Sequence, residues 1–296
     1  MSAWIWVLTL GCAEPTSDPA GDGPTEVDAC TVAVSGSGDP VGEASCTGGI
    51  CEVPAGSFVM GDANPLSPDQ CPPRLVELSA YGIDETEVTR AQYAHCVEAG
   101  PCDPVPFCES RAPGVVDPDQ LPVVCLTHAQ AETFCSWLGG RLPTEAEWEK
   151  AARGVEGALW AWGAHPPSCV IANFRYSSGF CADGVVDVGT YAAVDGPLPV
   201  DSTRSAYGLA DTVGNAWEWT ADAYDAGWYR DAPNIDPPGP EACATTVGAD
   251  RGECLFKVIR GGAYNSVQDS TRGTTRSLAR PGVWDVNLGM RCAYDR

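Results

Sequence analysis

From residue 53 onward, apolar and polar side chains recur in patterns that name local structure. Residues 56–61 (Gly-Ser-Phe-Val-Met-Gly) alternate with a period of two, as a half-buried strand does, and 75–83 alternate again. Three later segments read as helices. Thr89 is placed to cap a helix over 91–99, which Gly100-Pro101 stops. A second helix fits 127–138 and ends at Gly139-Gly140. A third fits 144–153: Glu147 follows Thr144 at capping-box spacing, and Gly154 closes the helix. Beyond residue 155 the chain turns to glycine, proline and turn dipeptides, with brief strand-like runs such as 256–259. The pattern predicts an α+β fold, irregular and loop-rich, with a few helices and short antiparallel strands. Loops this long need something other than ladders to hold them, and disulfides or bound ions are the candidates. Residues 101–122 and 231–254 read as insertions, each with its own cysteines (Cys102 and Cys108; Cys243 and Cys254).

The first 52 residues follow no such pattern. Residues 3–10 are apolar and run into Gly11-Cys12, which resembles the end of a bacterial lipoprotein signal, where such a cysteine is acylated. No basic residue precedes the run. Residues 13–28, rich in Pro, Gly, Asp and Thr, have little to bury and read as a disordered tether. Residues 29–52 carry Cys30, Cys46 and Cys51 among glycine and serine, and read as a small stapled extension, one hairpin at most. The expected organisation is therefore 1–12 signal and lipidation segment, 13–28 tether, 29–52 extension and 53–296 one large domain.

Composition narrows the compartment and the partners. The chain has 15 cysteines but only three histidines, and no cysteine–histidine cluster has zinc-ligand spacing. Disulfides in an oxidising compartment account for the cysteines better than metal centres do. Setting Cys12 aside leaves an even number to pair. The formal net charge of −23 repels nucleic acid and anionic membrane. No later run approaches the ~20 apolar residues of a membrane span, so any membrane attachment is expected through lipid on Cys12. An exported monomer is the expectation.

Four groups of residues carry a specific resemblance. Gly56-Ser57-Phe58-Val59-Met60-Gly61 is followed by Asp84-Glu85-Thr86-Glu87-Val88-Thr89. Phe134-Cys135-Ser136-Trp137 is followed by Gly140-Arg141-Leu142-Pro143-Thr144-Glu145-Ala146-Glu147-Trp148-Glu149. The third group runs from Tyr207 through Asp211-Thr212-Val213-Gly214-Asn215-Ala216-Trp217-Glu218-Trp219. The last is Arg260-Gly261-Gly262-Ala263-Tyr264, closing with Asn287-Leu288-Gly289-Met290-Arg291-Cys292. Together, over roughly 53–295, they resemble the sulfatase-modifying-factor family, whose members include formylglycine-generating enzymes. The resemblance implies a topology related to C-type lectins. Independently of it, Arg141, Glu145 and Glu147 surround a helix N-terminus, where carboxylates oppose the dipole and can pair with the arginine. Trp148, Trp217 and Trp219 are large apolar anchors for a fold poor in ladders.

The resemblance also implies sites. Asp211, Gly214, Ala216 and Glu218 alternate side-chain and backbone oxygens around a glycine turn, which suits calcium, and the family places calcium there. A second family calcium site would fall on Asn173, Phe174, Asp183 and Val185. The family's disulfide between helix and final strand would join Cys135 to Cys292. Its copper(I) ion is held by two cysteines five residues apart, and those positions are Ser266 and Thr271 here. A hydroxyl is a poor Cu(I) ligand, so copper is not expected. The family's groove would be lined by Trp217, Tyr264, Ser266, Thr271 and Arg276. Three functions compete: a calcium-stabilised surface module that binds a peptide, protein or glycan without copper-dependent cysteine oxidation; an active oxidoreductase of the superfamily, formylglycine-generating or of non-haem-iron type; and a structural envelope lipoprotein.

Overall fold

The two ends of the described chain meet in one sheet. In the computed structural model, residues 45–106, 108, 112–113, 117–193, 200, 202–240 and 255–296 are described. Cys12, the tether, most of the 29–52 extension and Cys30, Cys243 and Cys254 lie outside them. Strands β1 (Cys46–Thr47), β2 (Ile50–Val53), β5 (Tyr81–Asp84) and β12 (Ala293–Asp295) form this antiparallel sheet in the order β1-β2-β5-β12. Ile83 faces Cys51 on one side and Ala293 on the other. The β1-β2 hairpin, closed by Cys46–Cys51, is thus an edge of the domain's own sheet, which begins before residue 53.

The alternation over 75–83 is two strands rather than one. β4 (Arg74–Leu78) pairs with β3 (Gly56–Met60) as a separate hairpin, and β5 belongs to the terminal sheet. Tyr81, Gly82 and Ile83 are buried in succession, because β5 is a central strand covered on both faces. A second four-stranded sheet, ordered β10-β9-β8-β11, is built on β8 (Trp217–Ala223), β9 (Lys257–Arg260), β10 (Ser277–Ala279) and β11 (Leu288–Gly289). β11 runs parallel to β8 and the other pairs are antiparallel. Two-residue strands β6 (Arg175–Tyr176) and β7 (Gly179–Phe180) form a small ribbon.

The three expected helices are present, each within a residue of its expected start. α1 (Arg90–Ala99), α2 (His128–Trp137) and α3 (Glu145–Arg153) each open with a complete capping box, from Thr89 to Gln92, Thr127 to Gln130 and Thr144 to Glu147. α4 (Trp228–Asp231) is a single turn. α1 and α2 pack against β8, β9 and β11 in one core, around Phe134, Trp219, Leu288 and the Cys135–Cys292 disulfide. Strands β2 to β5 pack with Ala146, Ala151 and Tyr229 in another. Further disulfides join Cys96 to Cys102, Cys108 to Cys125 and Cys169 to Cys181, and Cys71 is also disulfide-bonded.

α3 is the unusual element: all nine of its residues are buried, five of them ionisable. Buried charge is tolerated only when paired and hydrogen-bonded. Glu145 accepts a two-toothed grip from Arg276, Nε to Oε1 at 2.7 Å and Nη2 to Oε2 at 2.9 Å, and a third contact from Arg260. Glu149 accepts from the Gly61 amide, Arg153, Arg260 and the Tyr229 hydroxyl. Arg276 is sandwiched near Tyr224 and Tyr229, 5.1 and 4.5 Å from their ring centres. Lys150 donates to the carbonyls of Pro54 and Gly56. Arg141 takes Glu147 rather than Glu145, through Nη1 and Nη2 at 2.7 and 2.6 Å.

Two outcomes follow for stability. Cys135→Ser opens a covalent loop of 157 residues, and the chain-entropy argument expects a loss of up to about 4–5 kcal/mol. A lowered urea midpoint checks it; an unchanged midpoint would refute the bond's role. Asp222, buried beside Glu145, has its carboxyl pushed up to about 7, first by burial and then by the Glu145 charge. The folded form therefore holds this proton more tightly than the unfolded chain. Its contribution is fully present below about pH 4, fades as pH rises through 7 and is absent above that. Asp222→Asn should gain roughly 2–4 kcal/mol over the parent at pH 8 and little at pH 4, by urea unfolding at both.

Candidate functional site

The loop entering β8 is shaped by backbone that turns left-handed at Asp211 (φ 59°), Gly214 (φ 86°) and Asn215 (φ 61°). Only glycine fits at 214, since an added Cβ would stand 2.1 Å from the Asn173 carbonyl oxygen. Asn215 locks the loop to its surroundings. Its Nδ2 donates to Glu87 Oε2 at 3.0 Å, and its Oδ1 accepts from Asn173 Nδ2 and the Val186 amide. Glu87 Oε1 accepts from the Ala216 amide at 3.1 Å. Glu218, fully buried, accepts from Trp148 Nε1 at 2.7 Å and from Arg291 Nε and Nη2 at 2.6 and 2.8 Å.

The first calcium set is thus brought into one buried, negative locus, with Glu87 added to it. Burial pushes the Glu87 carboxyl well above its usual range, and the Asp211 and Glu218 charges push it further. Burial likewise raises Asp211 to about 6, against the Gly189 amide, Arg291 and Arg204. Three carboxylates lean chiefly on one buried guanidinium, Arg291, which leaves negative charge uncompensated. Beside Asp211 is a cavity of about 10 Å³, the size that admits one water, lined by Asn173, Thr212 and Asn215 among others. Thr212 Oγ1 is buried without a hydrogen-bond partner among the described residues. An orphaned hydroxyl and surplus carboxylate charge both fit a hard cation. Among the described residues no three His, Cys, Asp or Glu side chains suffice to hold an ion, so backbone oxygens would have to contribute.

In the second set, Asn173 and Phe174 are already engaged by neighbouring backbone. Asn173 Nδ2 donates to the Gly184 carbonyl at 2.9 Å, and Asn173 Oδ1 accepts from the Ala182 amide. The Phe174 carbonyl accepts from Cys181, Asp183 is exposed and Val185 is buried. Hydrogen bonds across the Cys169–Cys181 loop do the pinning that an ion would do, so this set fits a cation less well than the first.

The predicted groove is divided by the structure. Trp217 is 8% exposed and packs in the α1–α2 core. Tyr264 is half-buried, its ring 6.3 Å from that of exposed Phe180, and its hydroxyl is pushed up by burial and by Asp285 and Asp183. Ser266 Oγ accepts from the Ala263 amide at 3.0 Å in a tight turn. Thr271 is fully buried; its hydroxyl donates to the Gln268 carbonyl at 2.7 Å and accepts from Trp160 Nε1. Gly262 permits this contact, since a Cβ there would meet Thr271 at 2.9 Å. Arg276 is a correction: it is held by Glu145 and by the carbonyls of Asp69 and Asp225, inside the α3 network and away from any groove surface. The guanidinium is drawn inward because Glu145, buried on α3, needs a counter-charge. Copper(I) does not fit at Ser266 and Thr271, whose hydroxyls are hard and engaged, and every described cysteine is disulfide-bonded.

Glu87, Asn215 and Arg291 are the residues of this locus that sequence reasoning did not single out. Each lay inside a quoted motif, but only their contacts reveal what they do.

Comparison with known proteins agrees with this architecture. Residues 39–296 match the family described as the sulfatase-modifying factor enzyme 1-like domain. The formylglycine-generating enzyme of Streptomyces coelicolor is 31% identical, over 86% of this chain and 92% of its own. The inactive C-alpha-formylglycine-generating enzyme 2 of Bos taurus is 32% identical, over 61% of this chain and 52% of its own. Among solved structures, Treponema denticola variable protein 1 superposes with a TM-score of 0.65 at 24% identity, covering 83% of this chain and 95% of that one. The helices, the short antiparallel strands and the long loops form the C-type-lectin-like fold of these proteins. The chain belongs to the sulfatase-modifying factor enzyme 1-like family.

Proposed function

We propose that this chain is an exported, calcium-stabilised binding module of its family that does not oxidise cysteine with copper. One observation carries the reading. At the two positions where the family holds Cu(I), the chain has hydroxyls, one of them buried and donated to a carbonyl, and no described thiol is free to replace them. The surface near Tyr264 and Ser266 is then a place to hold a peptide, protein or glycan rather than to oxidise one. Disulfides at ten described cysteines, with Cys71 bonded as well, support export to an oxidising compartment. Lipid on Cys12 would supply the anchor.

Calcium at the first locus would be held by Asp211 and Glu218 with the carbonyls of Gly214 and Ala216. When bound, it would neutralise the carboxylate surplus and pin the loop into β8.

Mass spectrometry of a sulfatase-type cysteine peptide, incubated with the protein, Cu(I), calcium and oxygen, tests the first part. The peptide should return unmodified beside an active control enzyme; conversion to formylglycine would overturn the reading. For calcium, an ion at 100 times its Kd would stabilise by about 2.7 kcal/mol. Thermal unfolding should therefore shift upward by several degrees from chelator to calcium, and Asp211→Ala should lose that shift. A shift of equal size in both proteins, or none in either, would contradict the assignment.

A further inference from the structure

His128 is the first residue of α2 and yet is buried, at 2% exposure. Its amide donates to the Pro281 carbonyl at 3.1 Å, and its ring meets the Trp219 ring edge-on, with centres 5.4 Å apart. Both ring nitrogens face an acceptor. Nε2 is 2.9 Å from the Thr220 carbonyl oxygen on β8, and Nδ1 is 3.3 Å from Glu132 Oε2, one turn along α2.

A carbonyl can only accept, so Nε2 carries the proton that fills the first contact. A neutral imidazole has no second N–H, and its Nδ1 lone pair then points at a carboxylate. An imidazolium would satisfy both contacts. It would also be a buried charge at the positive end of the α2 dipole, near the Lys257 ammonium, which β9 sends to the Ala221 carbonyl at 2.6 Å. The charged side chains that face the ring are thus Glu132 from its own helix and Lys257 from β9, while β8 and the Pro281 turn present carbonyls and the Trp219 ring. Burial lowers the proton affinity of the ring most and Lys257 lowers it further, against Glu132 and the Thr220 carbonyl, so it stands below its ordinary value. Glu132 is about half exposed (55%), so solvent screens its pull and leaves it free to turn to water when the ring is neutral.

We propose that His128 is an acid-operated release for the first turn of α2. At neutral pH the uncharged ring donates to Thr220 and seats the turn on β8. On acidification Nδ1 takes a proton, and the buried charge favours conformations in which the turn lifts its ring toward water. The Pro281 turn, held by the His128 amide, loosens with it. The release is local, because the Cys135–Cys292 disulfide pins the second half of the helix. Its sign follows from linkage. The folded form binds this proton less tightly than the unfolded chain, so the stabilisation is full above the ordinary histidine value of about 6.5 and is lost as pH falls through it. Asp222 runs in the opposite sense, so global unfolding mixes the two and a local measurement separates them. The device is independent of the copper and calcium readings.

Amide hydrogen exchange of the full chain at pH 7.5 and 5.0, read by mass spectrometry and corrected for intrinsic rates, tests it. The amides of Thr127, His128, Gln130 and Ala131 are all hydrogen-bonded. Peptides over 127–132 should exchange about threefold faster or more at pH 5.0, and those over 134–138 at an unchanged rate. His128→Gln, which keeps an N–H for Thr220 but has no titrating ring, should lose the acceleration. Imidazole NMR of the parent should show His128 taking its proton at lower pH in the folded chain than in urea. Lys257→Gln should move the folded midpoint up and Glu132→Gln should move it down. Equal exchange at the two pH values, acceleration kept in His128→Gln, or a folded midpoint at or above that in urea would overturn the proposal; should His128→Gln not fold, the parent's titration and the Lys257→Gln shift decide.

Discussion

The structure depends on one constraint: three fully or nearly fully buried guanidiniums, those of Arg260, Arg276 and Arg291, must each be met by a carboxylate from another element. Arg260 leaves β9 to reach Glu145 and Glu149 on α3, and Arg276 approaches the same Glu145 from the turn before β10. Arg291, just before β12, clamps Glu218 of β8 and also donates to the carbonyls of Asp84 and Ala210. Ladders of two to seven residues cannot by themselves fix long loops relative to one another. Charged forks with defined geometry can, because a buried carboxylate left without its partner costs roughly 3–5 kcal/mol. The ion pairs therefore act as register pins between segments that are far apart in sequence.

The same constraint explains why the site locus is negative. Arg291 is claimed by Glu218, yet the Asp211 and Glu218 charges raise the proton affinity of Glu87, and Glu218 raises that of Asp211. The protein satisfies its long-range pairing at Glu218 and leaves a carboxylate surplus where the loop turns left-handed. The proposed calcium ion would neutralise that surplus, and the orphaned Thr212 hydroxyl lies in the same loop.

Much of the scaffold was legible in the sequence for reasons that are local. The cap expected at Thr89 and the capping box expected at Thr144 are short-range hydrogen-bond patterns, and the helices begin where they place them; the box at Thr127 is a finding of the structure. The Cys135–Cys292 bond, expected from resemblance alone, is present. What the sequence hid is non-local. The single alternation over 75–83 splits because its halves join different sheets, which only tertiary pairing decides. Arg276 looked like a groove residue by position, but its fate is set by Glu145, more than a hundred residues earlier. Asn215 and Glu87 reveal themselves only once their amide and carboxylate are seen to meet.

The proposed lack of copper chemistry rests on Ser266 and Thr271, whose oxygens are hard and already hydrogen-bonded within the turn. Competition between the full-length protein and a chromophoric Cu(I) chelator measures this directly. The chelator should keep its copper at every protein concentration. Stoichiometric transfer of one Cu(I) per chain, with that ion retained on removing the chelator, would mean that the protein holds copper after all.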